Sequence, residues 1–363
     1  MLTGFITGLK SDFDVPEVSL AYQLGMRGYR TFGVAANGNL SGSLMRSLSP
    51  FRWFVNLYEV WEKLSPEKKA SAGRNAEERL RTYGYERSEL NIANRFATFD
   101  VVLNRAEPLL KGSQPFFGFI NVMEMHDPYV PDPRIYNRAG EHGIKVPDLR
   151  FRPLPPELAD PASIPDEARR KEVTEAIRTA DGRAWSTSFD LTSEMIAIYK
   201  ERYFANASTV DDGLRRLFDF LVREGLLNST IVIITSDHGE SFGEKHLMTH
   251  SFGDAGDMRV THAVPLLLVF PTCYGYEARN ISAPCTIADI PPTLYDVLGI
   301  DPEPIWSKSQ PGNFGRSLRP LFANETLTAT TANTTSTRPM TSAEKKAQDD
   351  EALKRFRALG YIH

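Results

Sequence analysis

The stretch Thr230-Ile231-Val232-Ile233-Ile234-Thr235-Ser236-Asp237-His238-Gly239-Glu240 places an acid, an imidazole and a glycine directly behind an apolar run. A carboxylate is a hard oxygen ligand, and a neutral imidazole offers a nitrogen and titrates near neutrality. The pair therefore suits a divalent cation in hydrolytic chemistry. Ile231 to Ile234 can be buried on both faces as a central parallel strand, and ligands of open α/β sheets gather just beyond such strand ends. Asp237 and His238 are accordingly metal-ligand candidates. Read alone, the same residues also fit a helix cap at Asp237 and a structural role for His238.

The elements around this segment alternate. Residues Pro16 to Met26 carry Val18, Tyr22 and Met26 four apart, and Gly28 stops that helix before a strand from Tyr29 to Ala35. Residues 53 to 111 read as helical and charged and lead to a strand at Phe116. The clearest helix covers residues 193 to 224, with an apolar stripe through Ile196, Tyr199, Tyr203, Val210, Leu214, Leu217 and Leu221. Gly225 closes it and delivers the chain to the Ile231 strand. Asp211 on this helix reads as a structural residue, and Asp289 reads as an N-cap before a short helix that Gly299 ends. From Val130 to about Asp190 the periodicity fails among repeated prolines, so residues 130–190 are expected to form an irregular insertion. Residues 316–363 read as a flexible Thr-rich connection followed by a C-terminal helix from Ser342 to Leu359, which would dock through Leu353, Phe356 and Leu359.

Composition bounds the function. With 363 residues, 41% of them hydrophobic, and a formal net charge of −4, the chain can bury one large core. Its even charge balance argues against nucleic acid. No apolar stretch approaches the roughly 20 residues needed to span a bilayer. The two cysteines, Cys273 and Cys285, read as small apolar residues, with a disulfide left open. The start shows no basic region followed by an apolar one. Asn-x-Ser/Thr sequons at Asn39, Asn206, Asn228, Asn280, Asn324 and Asn333 would suit an extracytoplasmic protein, so a cytoplasmic and an extracytoplasmic location both stay open.

Several segments, in order, resemble the sulfatases, a branch of the alkaline phosphatase superfamily. Phe116-Phe117-Gly118-Phe119-Ile120-Asn121 with Met125-His126-Asp127-Pro128-Tyr129 resembles the family's strand and His-x-Pro turn. Ser236-Asp237-His238-Gly239-Glu240 resembles its second metal-ligand motif. Val264-Pro265-Leu266-Leu267-Leu268-Val269 and Ala288-Asp289-Ile290-Pro291-Pro292-Thr293-Leu294 resemble its later strand and helix start. Arg357 to Ile362 looks like the ending of many prokaryotic members.

The resemblance implies an alkaline phosphatase-like α/β fold over residues 1–315, a mixed, mainly parallel sheet flanked by helices. It also implies a hydrolase of small-molecule or glycan sulfate monoesters that uses a divalent metal. Ca2+ is the first expectation, and His238, where many sulfatases carry Asn, leaves Mn2+ or Zn2+ open. His126 would bond the ester oxygens or protonate the leaving group. His250 would be the basic residue facing the anion, with Lys245 as its competitor, because Phe242 to His250 departs from the family pattern.

The family's Cys/Ser-x-Pro-Ser-Arg motif, whose first residue becomes formylglycine, does not occur, and neither Cys273 nor Cys285 has Pro two residues on. Met1 to Leu9 resembles the segment just after that motif. The expectation is a chain that begins one helix late, lacks a sheet strand and is inactive by itself. A phosphoester or phosphonate monoester hydrolase, and a noncatalytic remnant that binds anions or a partner, are the alternatives.

Overall fold

The computed structural model describes residues 19–38, 40, 51–70, 98–126, 129, 164–171, 193–244, 248–249, 258–301 and 315–323. Helix α1 (Leu20–Met26) starts where the Ser19 hydroxyl accepts the Tyr22 amide at 3.2 Å, and buries Leu20, Ala21 and Leu24. Gly28 at φ 84° then turns the chain into β1 (Arg30–Ala35), whose Phe32, Val34 and Ala35 are buried.

Strand β1 lies between β2 (Trp53–Asn56) and β3 (Phe116–Asn121), both parallel to it, in the order β2-β1-β3. The expectation of helix from residue 53 therefore fails for Trp53 to Asn56. Aromatic and β-branched side chains favour a pleated, half-buried surface, and the open edge of β1 supplies the ladder. Arg52 reinforces the entry by donating its amide to Thr31 Oγ1 at 2.9 Å. Helix resumes at α2 (Leu57–Glu62) and α3 (Phe99–Leu110), and residues 71–97 lie outside the described set.

Helix α4 (Ser193–Arg223) is the long helix that the apolar stripe predicts. Its Leu217, Phe218, Phe220 and Leu221 join Phe32, Phe99, Leu103 and Leu110 in one core cluster. The two helices meet closely at Gly213, where a Cβ would come within 2.1 Å of the Phe99 ring. Arg216 of α4 bridges to Asp100 at 3.0 Å, Asn104 at 2.7 Å and Glu107 at 2.9 Å, all on α3. Asp212 pairs with Arg215 on the helix surface.

Strand β4 (Val232–Thr235) follows, covered on both faces as its unbroken apolar run predicts. Ile231 and Ile233 pack with Leu20, Leu24, Ile290, Leu294 and Tyr295, while Val232 and Ile234 pack against the Phe218 side. Among the described residues, however, it has no parallel partner. It pairs antiparallel with β7 (Leu266–Val269), Thr235 opposite Leu266, in a ladder separate from the three-stranded sheet. The chain leaves β4 and re-enters β7 at the same end, which allows only antiparallel pairing. Between them stand the two-residue strands β5 (Ser241–Phe242) and β6 (Met248–Thr249) and the short α5 (Met258–His262). Although β3 and β4 share no ladder among the described residues, Phe116 and Val232 belong to one apolar cluster and Phe117 and Ile233 to another.

Asp289 is structural, but in another way than expected. Its side chain makes no cap bond to α6 (Ile290–Val297). It instead closes a reciprocal capping box with Thr286, accepting that amide at 2.7 Å, and takes the Arg316 amide at 2.7 Å. Of the 130–190 insertion, residues 164–171 are described, with Ile164 buried, and Tyr129 just before it is described as well. The chain ends its described course at α7 (Arg319–Phe322), and the Thr-rich connection and final helix lie outside the described residues. A mixed α/β architecture, with a parallel sheet flanked by helices, is the result. Among the described residues no helix is long and apolar enough to cross a membrane.

Candidate active site

Two loops carry the sequence-predicted residues. Behind β4, Ser236 and Asp237 fold back on themselves: the Ser236 hydroxyl donates to the His238 carbonyl at 2.7 Å, and the His238 amide donates to Asp237 Oδ1 at 3.1 Å. The carboxylate of Asp237 is left 66% exposed, with His238 Nε2 at 3.8 Å from its Oδ1. His238 Nδ1 lies 3.0 Å from the Gly239 carbonyl. A proton on Nδ1 donated there puts the ring's lone pair on Nε2, the arrangement that orients a ligating imidazole. Gly239 holds the turn against α5, since its amide donates to the Thr261 carbonyl at 2.8 Å and a Cβ would lie 2.0 Å from the Val260 carbonyl oxygen.

The second loop leaves β3. Asn121 ties the strand end to its neighbour: its carbonyl accepts the Ala36 amide at 3.1 Å and its Oδ1 accepts the Asn37 amide at 3.0 Å. Asn56 at the end of β2 donates to the carbonyls of Asn37 at 2.8 Å and Leu40 at 2.6 Å. Beyond Asn121 the chain is pinned by Glu124, whose carboxylate accepts the Phe99 amide at the start of α3 and whose carbonyl accepts Asn206 Nδ2 at 2.5 Å. His126 follows, half-buried, its amide donating to the Met123 carbonyl at 3.1 Å.

The loops meet through two residues that have no role of their own in the sequence reading. The buried Tyr129 hydroxyl donates to Glu240 Oε2 at 2.9 Å, across 111 positions of sequence. Burial, and then the charge of Glu240, push the Tyr203 phenol above its usual range. Glu240 directly follows Asp237-His238-Gly239 and Tyr129 closes His126-Asp127-Pro128-Tyr129, so motif adjacency was the signal that could have found them. Further on, Phe242 donates its amide to Glu244 Oε2 at 2.5 Å, and Lys200 of α4 lies 3.8 Å from Glu244. Lys245 and His250, expected to face the anion, lie outside the described residues.

Asp237 and His238 can supply two ligands to a cation. Ca2+ takes six to eight oxygens, and a Zn2+ centre generally keeps at least three protein ligands. Among the described residues no group of three or more His, Cys, Asp or Glu side chains is placed to hold an ion. The described residues thus do not by themselves make up a metal centre. Cys273 and Cys285 are exposed free thiols, so the disulfide left open by the sequence is not formed. Cys285 lines a separate cavity of about 370 Å3 along the outer edge of β7, with Leu267, Val269, Tyr276, Arg279 and Phe322. Neither Asp237, His238 nor His126 contributes to it.

A family model described as Sulfatase matches residues 5–300. Among curated proteins, the choline-sulfatase of Rhizobium meliloti (strain 1021) is 33% identical over 134 residues, which is 37% of this chain and 24% of that protein. The multifunctional alkaline phosphatase superfamily protein PehA of Trinickia caryophylli is 26% identical over 236 residues, 64% of this chain and 42% of that protein. The matched part thus spans less than half of either relative's length. Among solved structures, a protein in complex with its substrate D-glucosamine-2-N,6-O-disulfate aligns at 17% identity and a TM-score of 0.47, covering 85% of this chain and 64% of that one.

Proposed function

This chain belongs to the Sulfatase family, and from that premise we propose that its site is built to receive sulfate monoesters of a small molecule or glycan. The observation that carries this reading is the family match across residues 5–300, which includes every residue assigned below. Asp237 and His238 form the cation-facing pair, consistent with an exposed carboxylate beside an imidazole whose Nδ1 is turned to the Gly239 carbonyl. His126 would bond the ester oxygens, or protonate the leaving group where a nucleophile attacks sulfur. His250, or Lys245 in its place, faces the sulfate oxygens.

The 363-residue chain holds no Cys/Ser-x-Pro-Ser-Arg sequence, so we infer that it recognises the ester without formylglycine-dependent turnover. Loss of a nucleophile from such a constellation costs several powers of ten in rate. The imidazole of His238 also suits Mn2+ or Zn2+ better than an all-oxygen site would, and favours phosphonate or phosphate monoesters as the second reading.

Calorimetry and turnover with p-nitrophenyl sulfate, p-nitrophenyl phosphate and p-nitrophenyl phenylphosphonate test this. The sulfate ester should bind best, weaken with His126→Ala, and turn over at background. Tighter binding of the phosphonate ester would establish the second reading, and formylglycine-dependent hydrolysis would refute the inferred inactivity. No binding of any ester would leave a noncatalytic remnant. Because two ligands fall short of a centre, titration with Ca2+ or Mn2+ should show only weak binding. A tight stoichiometric isotherm would overturn that expectation.

A further inference from the structure

Tyr129 occupies an unfavourable position. Among the described residues it is the one non-glycine with positive φ, at 46°, a left-handed conformation in which an L side chain is sterically crowded. It is also fully buried at 0% exposure. A strained conformation persists only where its surroundings over-determine it, and here they are identifiable. The ring stands edge-on to Tyr203 of α4 at 5.5 Å and 88°, and 5.6 Å from Phe242 of β5. Tyr203 and Phe242 are themselves 5.0 Å apart. Inside this aromatic enclosure the Tyr129 hydroxyl meets Glu240, which is only 8% exposed.

The two ends of that bond are joined rigidly to the two halves of the site. On one side the Tyr129 amide donates to the His126 carbonyl at 3.3 Å, so Tyr129 closes the turn that presents His126. On the other, Glu240 follows Gly239, whose amide is fixed to Thr261 and whose carbonyl faces the His238 ring. Burial strengthens the bond, because a carboxylate shielded from water is held by whatever donors the protein provides.

We propose that Tyr129 is a positioning residue that, through Glu240, fastens the His126 turn to the Asp237-His238 loop and so sets the register between the two halves of the anion site. The functional consequence rests on the sulfate-ester reading, whereas the joint itself does not. The phenol does not touch substrate. It fixes the position of groups that do.

The test uses the full chain with isotopically labelled histidine and reads the imidazole resonances of His126 and His238 in Tyr129→Phe, Glu240→Ala and Glu240→Gln. Tyr295→Phe, a buried tyrosine in another cluster, is the control. Tyr129→Phe should shift both imidazoles, and Glu240→Ala should reproduce the pattern with nothing added in the double variant. Glu240→Gln keeps an acceptor and should restore most of the wild-type spectrum. In parallel, affinity for p-nitrophenyl sulfate should fall roughly 10- to 100-fold in Tyr129→Phe, the scale on which outer-shell partners act. Shifts confined to His126, or no shift in either histidine, would overturn the joint. Failure of the wild-type chain to bind any ester would sink the sulfate-ester reading, while the histidine spectra would still decide the joint. Should Tyr129→Phe not fold, Glu240→Ala compared with Glu240→Gln reads the same bond from its other end.

Discussion

Asp237 and Gly239 are two positions apart and fail differently when changed. The carboxylate of Asp237 is 66% exposed and, among the described residues, bonds within its own turn. Asp237→Ala should therefore alter the unfolding free energy by no more than about 0.5 kcal/mol, as other surface positions do. Its cost should appear in ester or cation binding, and a large loss of stability would assign the side chain to the core. Gly239→Ala should do the reverse. The added methyl would sit 2.0 Å from the Val260 carbonyl oxygen, which is rigid backbone, so the turn or α5 must move at a cost of about 1–3 kcal/mol. Unfolding in denaturant measures both, and an unchanged midpoint for Gly239→Ala would mean the turn has room that its geometry denies. Asp237 and His238 stand out in the sequence because type and spacing at a strand end point to a chemistry, and the structure places both on the loop that follows β4. Tyr129 and Glu240 were marked only as neighbours of the two motifs, and nothing in either motif says that residues 111 positions apart bring phenol and carboxylate to 2.9 Å.

At the scale of elements, helix α4 delivers the chain to the site loop, and its angle is set where it crosses α3. Gly213 stands inside a 31-residue helix, where alanine would be favoured by about 1 kcal/mol on propensity alone. Gly213→Ala is nevertheless expected to destabilise. Its methyl would come within 2.1 Å of Phe99, itself 5% exposed and held in the core cluster, and the overpacking cost of about 1–3 kcal/mol exceeds the propensity gain. Thermal melts compare the two directly, and a higher melting temperature would show that α3 yields easily. The long apolar stripe made α4 readable, because a 3.6-residue period sustained over many turns fits an amphipathic helix and no strand. Trp53 to Asn56 resist such a reading: four residues carry no period, and the open edge of β1 decides their state. Pairing direction was equally hidden, since β4 reads the same whichever way its neighbour runs.

Across the whole molecule, the core joins both strand groups through buried aromatic residues, of which Tyr295 can ionise, as can the half-buried Tyr203 and Tyr274 outside those clusters. Tyr295 is fully buried and its phenol is pushed well above the ordinary range, burial being the main cause and the charge of Arg27 a smaller opposing one. Tyr203 is raised by burial and then by Glu240, and Tyr274 chiefly by burial. A phenol whose folded pKa lies above its unfolded value of about 10 favours folding while it stays protonated in the native state. Below about pH 10 neither state is ionised and that stability is fully present. As pH rises past the unfolded value, the denatured chain releases its protons first, and the folded state loses ground until its own phenols titrate. The chain should therefore melt at falling temperatures above about pH 10. Because Tyr295 lies on α6 and packs with Leu20 and Leu24 of α1 in the cluster that also receives Ile231 and Ile233 of β4, its ionisation threatens the strand that carries Asp237. Tyr295→Phe should flatten the alkaline limb of the melting curve while Tyr203 and Tyr274 still titrate. Superimposable curves for the two proteins from roughly pH 8 to pH 11, the range that brackets the unfolded phenol, would mean that alkaline loss begins elsewhere, and that this core does not govern it.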